Sequence, residues 1–169
     1  MRYYDVNVRA SIELIKAVEF FGCKLLIFSS STTAYGLPEY LPYDEDHPTV
    51  PKNPYGKSKL MVELILQDWV KANRSQRAIC LKYFNPVGAH VSGLIGEDPK
   101  DIPNNLMPFI IQTASGRRKR LSIFGDDYDT LDGTGERDYI HISDLAYGHL
   151  LSLEKNGILD RFQIIKKLS

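Results

Sequence analysis

Cysteine is scarce in this sequence: only Cys23 and Cys80 occur among 169 residues. Two cysteines are too few for the disulfide framework of a small secreted domain, so we expect both to be buried free thiols in a reducing compartment. Apolar runs long enough to cross a bilayer are also lacking, and residues 1–5 do not have the pattern of a signal peptide. These features favour a cytoplasmic protein without a membrane partner.

An excess of charge of either sign is lacking as well, since 21 lysines and arginines balance 21 acidic residues. This balance does not favour nucleic acid as a partner, and any recognition of phosphate has to be local. Metal-ligand spacing is missing among the four histidines, so we predict no metal site. With 43% apolar residues, the chain has enough for one compact unit with a core.

Helical and strand patterns alternate along the chain, which predicts an α/β fold. Apolar residues recur with a helical period over residues 5–21, and Gly22 follows as a cap. The continuous apolar run 25–28 predicts a strand that is buried on both faces of a parallel sheet. Further predicted elements are a helix from Tyr55, a strand at 78–83, a helix capped by Asn104 or Asn105, strands at 121–124 and 137–140, and a helix capped by Ser143 and Asp144.

Candidate chemistry lies in residues 53–59. Tyr55 and Lys59 are four residues apart, and a helix that opens at Pro54 would place both side chains on one face. An ammonium close to a phenol lowers the pKa of the phenol, which makes the tyrosine usable as a base. Ser31 would lie at the carboxyl end of the strand, where parallel sheets bind ligands, and its hydroxyl could bridge tyrosine and substrate. The arrangement predicts oxidation of an alcohol.

The Tyr-x-x-x-Lys pattern is weak by itself, because it usually marks an ordinary exposed helix face. Here Tyr55 is the only one of ten tyrosines that is followed by lysine at this spacing. The pair also follows a strand that ends in a run of serines and threonines, residues 29–33. This context favours the catalytic interpretation.

Six stretches of the chain together resemble one family. The family is that of the extended short-chain dehydrogenase/reductases that act on nucleotide sugars, and the resemblance is closest to those members that invert C4 of a UDP-sugar. It runs from about residue 3 to about residue 154. The stretches are residues 29–31, 53–59, 83–90, 96–99, 102–108 and 132–141.

The resemblance implies a partial Rossmann-like parallel sheet with flanking helices, in which the N-terminal dinucleotide-binding βαβ unit has no counterpart. Residues 1–90 would form the C-terminal half of the NAD-binding domain. Residues 91–159 would form part of the UDP-sugar-binding region together with returning Rossmann elements, and residues 160–169 would be an unrelated tail. A homodimer through helices 5–22 and 55–73 is also implied.

The resemblance further assigns roles to side chains. Tyr55 would take the proton from the sugar C4 hydroxyl while hydride passes to NAD, and the return of hydride to the other face would interconvert UDP-galactose and UDP-glucose. Lys59 would also bind the nicotinamide ribose, Ser31 would relay between hydroxyl and base, and Tyr83 and Phe84 would line the nicotinamide side. Expected substrate contacts are Ser31, Thr32, Thr33, Asn85, Asn104, Asn105, Leu106, Ser122, Ile123, Phe124 and Arg137.

The residues by themselves leave alternatives open. The asparagines fit helix caps, Arg137 fits a surface salt bridge, and residues 122–124 fit an edge strand. At Thr32 and Thr33 the related dehydratases place acidic residues, and their absence favours epimerisation. The alternative function is that of a truncated, catalytically inactive chain, which would act at most as a dimerising or weak UDP-sugar-binding module.

Overall fold

The computed structural model describes residues 1–166, and these residues form two compact units. The first unit holds Met1–Phe84 together with residues 144–166, and the second is Asn85–Ser143. This division differs from the predicted boundaries at residues 90 and 159, because most of the last helix packs within the first unit. Residues 167–169, the end of the predicted tail, lie outside the described residues.

The first unit is a parallel three-stranded sheet with helices. A π-helical turn, Tyr4–Arg9, runs into helix α1, Ala10–Phe20, and strand β1, Leu25–Ser29, follows. Helix α2, Pro54–Ala72, and strand β2, Arg77–Leu81, come after a long loop. The first unit ends with helix α4, Ile142–Glu154, most of which belongs to it, and strand β5, Phe162–Ile165. The intervening elements belong to the second unit and are strand β3, Asn85–Val87, helix α3, Leu106–Ala114, and strand β4, Tyr139–His141. The strand order is β1-β2-β5, and both pairings are parallel.

A single apolar core joins α1, α2 and this sheet. On α2 the buried apolar residues recur every four positions, at Val62, Leu66 and Val70, so one face of the helix covers the sheet. Met61 and Leu64, two further apolar residues of α2, remain 42% and 52% exposed. The buried members of the core are Ile15, Leu26, Val62, Leu66, Val70, Ala78 and Cys80.

The second unit has a much smaller framework. Strands β3 and β4 pair in parallel, with Asn85 opposite Tyr139 and Val87 opposite His141. Among residues 85–143 only Pro103 and Pro108 are buried, so turns and hydrogen bonds rather than an apolar core define this unit.

Several predicted elements need correction. Residues 121–124 form no strand, because their side chains are exposed and no neighbouring strand pairs with them. In the tail that was predicted to be unrelated, Phe162–Ile165 form β5 and pair with β2. Helix α4 begins at Ile142, so Ser143 and Asp144 lie inside its first turn.

The two cysteines lie in different surroundings. Cys80 is a buried free thiol on β2, and burial raises its pKa above the ordinary value. Cys23 is exposed, which corrects the prediction of two buried thiols. Gly22, with a φ of +69°, forms the turn after α1, and Cys23 lies between this turn and β1, outside both elements. Across residues 1–166, no helix combines the length and the apolar content that a membrane span requires.

Candidate functional site

The end of β1 and the start of α2 bring the predicted catalytic side chains together. Ser31 lies two residues after the end of β1, and Tyr55 and Lys59 lie in the first two turns of α2. Asn53 caps α2 by accepting a hydrogen bond from the Gly56 amide at 2.8 Å, and Pro54 occupies the first turn. Ordinary helix capping therefore accounts for the predicted start of this helix, and with it for the position of Tyr55 and Lys59 on one face.

Gly56 allows the start of α2 to approach the serine and threonine turn closely. A Cβ atom at this position would lie 2.4 Å from the carbonyl oxygen of Thr33, well inside van der Waals contact. Thr33 in turn donates to the Ser31 hydroxyl from its own hydroxyl at 2.8 Å and from its amide at 3.2 Å. The lack of a side chain at Gly56 thus lets the start of α2 lie directly against the turn that holds Ser31.

Lys59 is anchored to the end of β1. Its ammonium donates to the carbonyl oxygen of Ser29 at 2.9 Å, and it lies 4.9 Å from the centre of the Phe28 ring. The hydroxyl of Ser29 makes a second contact, with Nε2 of His149 at 3.1 Å. Because Nδ1 of His149 faces the Leu145 carbonyl oxygen, that nitrogen carries the proton, and Nε2 accepts from Ser29.

The pKa of Tyr55 does not follow the sequence prediction. Burial raises its pKa above the ordinary value, a hydrogen bond to Ser31 opposes this rise, and the neighbouring Tyr83 and Tyr3 add to it. The Lys59 ammonium donates to the Ser29 carbonyl oxygen and lies 5.6 Å from the centre of the Tyr55 ring. The net effect is a Tyr55 pKa above its ordinary value, opposite to the expected direction, and Ser31 is the neighbour whose hydrogen bond opposes that rise.

Tyr83 and Phe84, the two aromatic residues expected beside the cofactor, lie in different surroundings. The carbonyl oxygen of Tyr83 accepts hydrogen bonds from the amide and the hydroxyl of Thr32, each at 3.4 Å, which holds the threonine turn against the end of β2. Phe84 instead contacts the ring of Tyr43, with 6.2 Å between ring centres. Of the two aromatic residues expected beside the cofactor, only Tyr83 influences the titration of Tyr55.

A groove of about 550 Å³ lies within the second unit. All eight of the predicted substrate residues in this unit line it, although they come from four separate segments of the chain. They are Asn85, Asn104, Asn105, Leu106, Ser122, Ile123, Phe124 and Arg137.

The alternative interpretations of these residues were helix caps, a surface salt bridge and an edge strand, and the contacts in the structure give them little support. Asn105 holds the N-cap position of α3 but makes no side-chain capping bond, so its amide is not used by the helix. Among the described residues, Arg137 donates to the backbone carbonyl of Glu136 at 2.6 Å, not to a carboxylate. Residues 122–124 are not a strand. The groove therefore holds the side-chain amides of Asn104 and Asn105 and a guanidinium, groups that suit hydroxyl and phosphate ligands, while the Asn85 amide already donates to the Asp138 carbonyl oxygen at 2.9 Å.

The sequence analysis missed several residues that the structure brings to these places. In the groove they are Tyr128, which precedes the recognised stretch 132–141, and Tyr139, which lies within it. Beside the catalytic group the missed residues are Glu63 and Lys82, a buried ion pair. The signal for Glu63 was its spacing, since it follows Lys59 by one helical turn, and for Lys82 it was a lysine directly after an apolar strand.

Comparison with known families agrees with this geometry. The model of the NAD dependent epimerase/dehydratase family matches residues 1–164. This chain belongs to the NAD dependent epimerase/dehydratase family. The match ends inside β5, so the family likeness includes half of the segment 160–169 that was predicted to be an unrelated tail.

Individual relatives in the NAD dependent epimerase/dehydratase family are close in sequence. Human UDP-glucose 4-epimerase is 56% identical over 154 residues, which are 90% of this chain and 44% of the human protein. UDP-glucose 4-epimerase of Bacillus subtilis (strain 168) is 53% identical over 155 residues, 92% of this chain and 46% of that protein. The chain thus spans less than half the length of these curated relatives.

Solved structures support the same placement. UDP-glucose 4-epimerase from Bifidobacterium longum in complex with NAD+ and UDP matches with a TM-score of 0.91 and 47% identity, over 98% of this chain and 50% of that chain. The corresponding enzyme from Stenotrophomonas maltophila, with bound NAD and formylated UDP-arabinopyranose, matches with a TM-score of 0.92 and 44% identity, over 98% and 49%. The predicted family and the predicted partial Rossmann-like α/β fold are confirmed.

Proposed function

We propose that this chain carries the catalytic group of a UDP-glucose 4-epimerase, which interconverts UDP-galactose and UDP-glucose through transient oxidation at C4. The observation that carries the proposal is the meeting of Tyr55, Lys59 and Ser31 at the carboxyl end of β1. Relatives that are 53% to 56% identical bear the name of this enzyme. Thr32 and Thr33 offer no acid for elimination, which favours epimerisation over dehydration.

In this proposal Tyr55 moves the proton. Since burial raises its pKa, Tyr55 keeps its proton in the chain by itself, and the Ser31 hydrogen bond is the contact that eases its release. Ser31 accepts from Thr33 while its own hydrogen remains available, so it is able to donate to Tyr55 or to a sugar hydroxyl. Proton transfer by a positioned side chain contributes a factor of about 10² to 10⁴ in rate.

The described residues fit one end of the cofactor NAD. Lys59 has three N–H donors and uses one on the Ser29 carbonyl, so it keeps donors for the nicotinamide ribose hydroxyls. Tyr83 lies close enough to influence Tyr55 and would line the same end. When bound, NAD supplies the hydride acceptor. The 169 residues contain no Gly-x-x-Gly-x-x-Gly turn, so they do not provide the usual cradle for its pyrophosphate.

For the UDP-sugar we propose the groove of the second unit. Its asparagines offer neutral donors and acceptors to a pyrophosphate or sugar hydroxyl, and Arg137 offers a charged planar fork. Ser122, Ile123 and Phe124 would lie along the uracil, where the exposed Phe124 ring supplies an apolar surface.

The test measures three quantities on the purified chain: its content of NAD, its affinity for UDP, and its conversion of UDP-galactose to UDP-glucose. Tyr55→Phe should lower kcat by roughly 10²-fold to 10⁴-fold, because it removes the proton-transferring oxygen. Tyr147→Phe is the matched control, since Tyr147 is 58% exposed on α4. Turnover that survives Tyr55→Phe would refute the catalytic role of Tyr55.

A second candidate is a UDP-sugar-binding module without turnover. It is favoured by the location of the groove, because eight of the eleven predicted substrate contacts lie within residues 85–143. The chain also spans only 44% of the human relative. Affinity for UDP without NAD content or epimerisation would select this candidate.

The proposal includes a homodimer through helices 5–22 and 55–73. Exposed apolar side chains on both helices support it, with Leu14 at 55% and Leu64 at 52% exposure. Sedimentation of the chain and of the Leu64→Glu variant tests it, and a monomer at all concentrations of the unsubstituted chain would refute it. A cytoplasmic location, consistent with two free cysteines, is tested by cell fractionation.

A further inference from the structure

Glu63 and Lys82 form an ion pair inside the first unit. The Glu63 carboxylate and the Lys82 ammonium lie 3.1 Å apart, and the two residues are only 2% and 0% exposed. Removing two charges from water is costly, and apolar residues of similar volume often stabilise a core equally well. Stability by itself is therefore a weak reason for this pair.

The pair touches every element that presents the catalytic group. Glu63 lies on α2, one turn beyond Lys59, and its other oxygen accepts a hydrogen bond from Ser30, the neighbour of Ser31. Lys82 directly follows β2 and precedes Tyr83, and its amide donates to Ile165 of β5 at 2.8 Å. Its ammonium also lies 4.2 Å from the centre of the Tyr35 ring.

Two of these positions adjoin the catalytic side chains: Ser30 precedes Ser31, and Glu63 lies one helical turn beyond Lys59. The backbone carries the effect onward, since the Ser30 amide donates to the Leu81 carbonyl oxygen at 2.9 Å. Ser30 is consequently held both by β2 and by the α2 carboxylate. A shift of Glu63 would move the turn of Ser31 relative to Tyr55.

We propose that Glu63, paired with Lys82, is a positioning residue for the catalytic group, which fixes Ser31 and Tyr83 against the helix that carries Tyr55 and Lys59. This inference rests on the proposed function. Neither residue touches substrate or cofactor atoms in this role. The buried pair acts through Ser30 on one side and through the end of β2 on the other.

Glu63 also acts on charge. Burial lowers the pKa of Lys59, and the negative charge of Glu63 opposes that effect. The groups that face Lys59 are the Ser29 carbonyl and the Phe28 ring on β1, and Tyr55 and Glu63 on its own helix. Around Glu63 lie Ser30, directly after β1, and Tyr35 in the loop between β1 and α2. Cys80 on β2 and Lys82 directly after β2 are its other neighbours.

The experiment compares Glu63→Gln with Asp68→Asn, a matched loss of one carboxylate from the same helix. Asp68 is 81% exposed in its side chain and pairs only loosely with Lys71, at 3.9 Å. Two quantities are measured: kcat and KM for UDP-galactose, and the pKa of Lys59 by NMR titration of lysine labelled at Cε. Lys59→Met identifies the resonance, and the titration needs no turnover.

Glu63→Gln should lower kcat by roughly tenfold to a hundredfold with little change in KM, because misplacement of a catalytic group has effects of this size. It should also lower the pKa of Lys59. Asp68→Asn should change neither quantity. Should Glu63→Gln resemble Asp68→Asn in both, the pair is merely structural and the proposal is overturned.

Should Glu63→Gln fail to fold, the double variant Glu63→Gln/Lys82→Met removes both charges and leaves no ion unpaired. It should fold and still show the lower kcat and the lower Lys59 pKa, and unchanged values would overturn the proposal. Ser30→Ala separates the two effects: it should lower kcat and leave the Lys59 pKa unchanged. If the unsubstituted chain shows no turnover, the proposed function fails, whereas the Lys59 titration still decides the role of Glu63.

Discussion

The first unit places its candidate catalytic side chains on a packed core, whereas the second forms its groove from turns and exposed side chains. In the first, α2 carries Val62 and Leu66 on the face that covers the sheet, and Tyr55 and Lys59 in its first two turns. In the second, Ile123 and Phe124 are 73% and 89% exposed although they line the groove.

The difference suggests that the two sites tolerate change differently. Rearrangement of the core reaches Tyr55 and Lys59 because the same helix carries both sets of residues. The groove has no comparable coupling, since residues 85–143 contain no buried apolar cluster. Four substitutions test this contrast.

The largest effect is expected from Leu66→Ala. Leu66 is 0% exposed in the core, and truncation of a buried leucine lowers the free energy of unfolding by about 2 to 5 kcal/mol. Leu131→Ala in the second unit is the matched control, because Leu131 is fully exposed and its truncation should change the free energy by less than about 0.5 kcal/mol. Urea unfolding measures both. Equal losses would abolish the contrast between the units.

The second largest effect is expected from Gly56→Ala. The new methyl group would meet the Thr33 carbonyl oxygen at 2.4 Å, and overpacking of this kind lowers the free energy of unfolding by about 1 to 3 kcal/mol. Turnover should fall as well, because Tyr55 moves away from Ser31. Gly157→Ala, where a Cβ has no neighbour within 4 Å, is the control. A Gly56→Ala variant with unchanged stability and turnover would show that the close approach has no importance.

Arg137→Gln tests the groove of the second unit, where a substitution should change affinity and not stability. We expect its Kd for UDP to rise by roughly tenfold, the effect of one lost charge-assisted hydrogen bond, and its free energy of unfolding to stay the same. Arg120→Gln removes the same charge at a position in the same unit that does not line the groove. Calorimetric titration with UDP measures both. A loss of stability without a loss of affinity would contradict the assignment of Arg137.

The smallest effect is expected from Tyr40→Phe in the long loop of the first unit. Tyr40 donates to Asp44 at 2.6 Å, and this bond lowers the pKa of Asp44 and raises that of Tyr40 to about 12. Stability from the lowered Asp44 pKa is present above its ordinary value and is lost as pH falls through the lowered one.

Tyr40→Phe should return the pKa of Asp44 toward its ordinary value of 3.8 and slightly reduce stability above that pH. An NMR titration of the Asp44 side chain measures the change. Because both groups are exposed, the effect on turnover should be negligible. An unchanged Asp44 titration would show that the hydrogen bond does not form.

The sequence predicted those features that depend on local pattern. The apolar run 25–28 became β1, and Pro54 with Asn53 became the start of α2, because burial and capping act within a few residues. Prediction failed where a distant partner decides the outcome. Lys59 turns toward Ser29, 30 residues earlier in the chain, and this contact is not readable from the spacing of Lys59 and Tyr55.

Residues 121–124 show the opposite failure. Their apolar content fitted a strand, but β-structure requires a partner for the backbone, and none is paired with them in the second unit. The segment 162–165 has such a partner in β2, and pairing made it a strand even though it had no family signal in the sequence analysis. Burial of Glu63 with Lys82 likewise depends on three separate segments that meet only in the fold.

The hydrogen bond that anchors Lys59 does not depend on the side chain of its partner residue. Its acceptor is the main-chain oxygen of Ser29, which every amino acid carries, while the hydroxyl of the same residue faces His149. Replacing the side chain at position 29 therefore releases the histidine and leaves the lysine tethered. A substitution at position 29 therefore affects the orientation of α4. It does not remove the hydrogen bond of the Lys59 ammonium, which only a distortion of the β1 backbone would weaken.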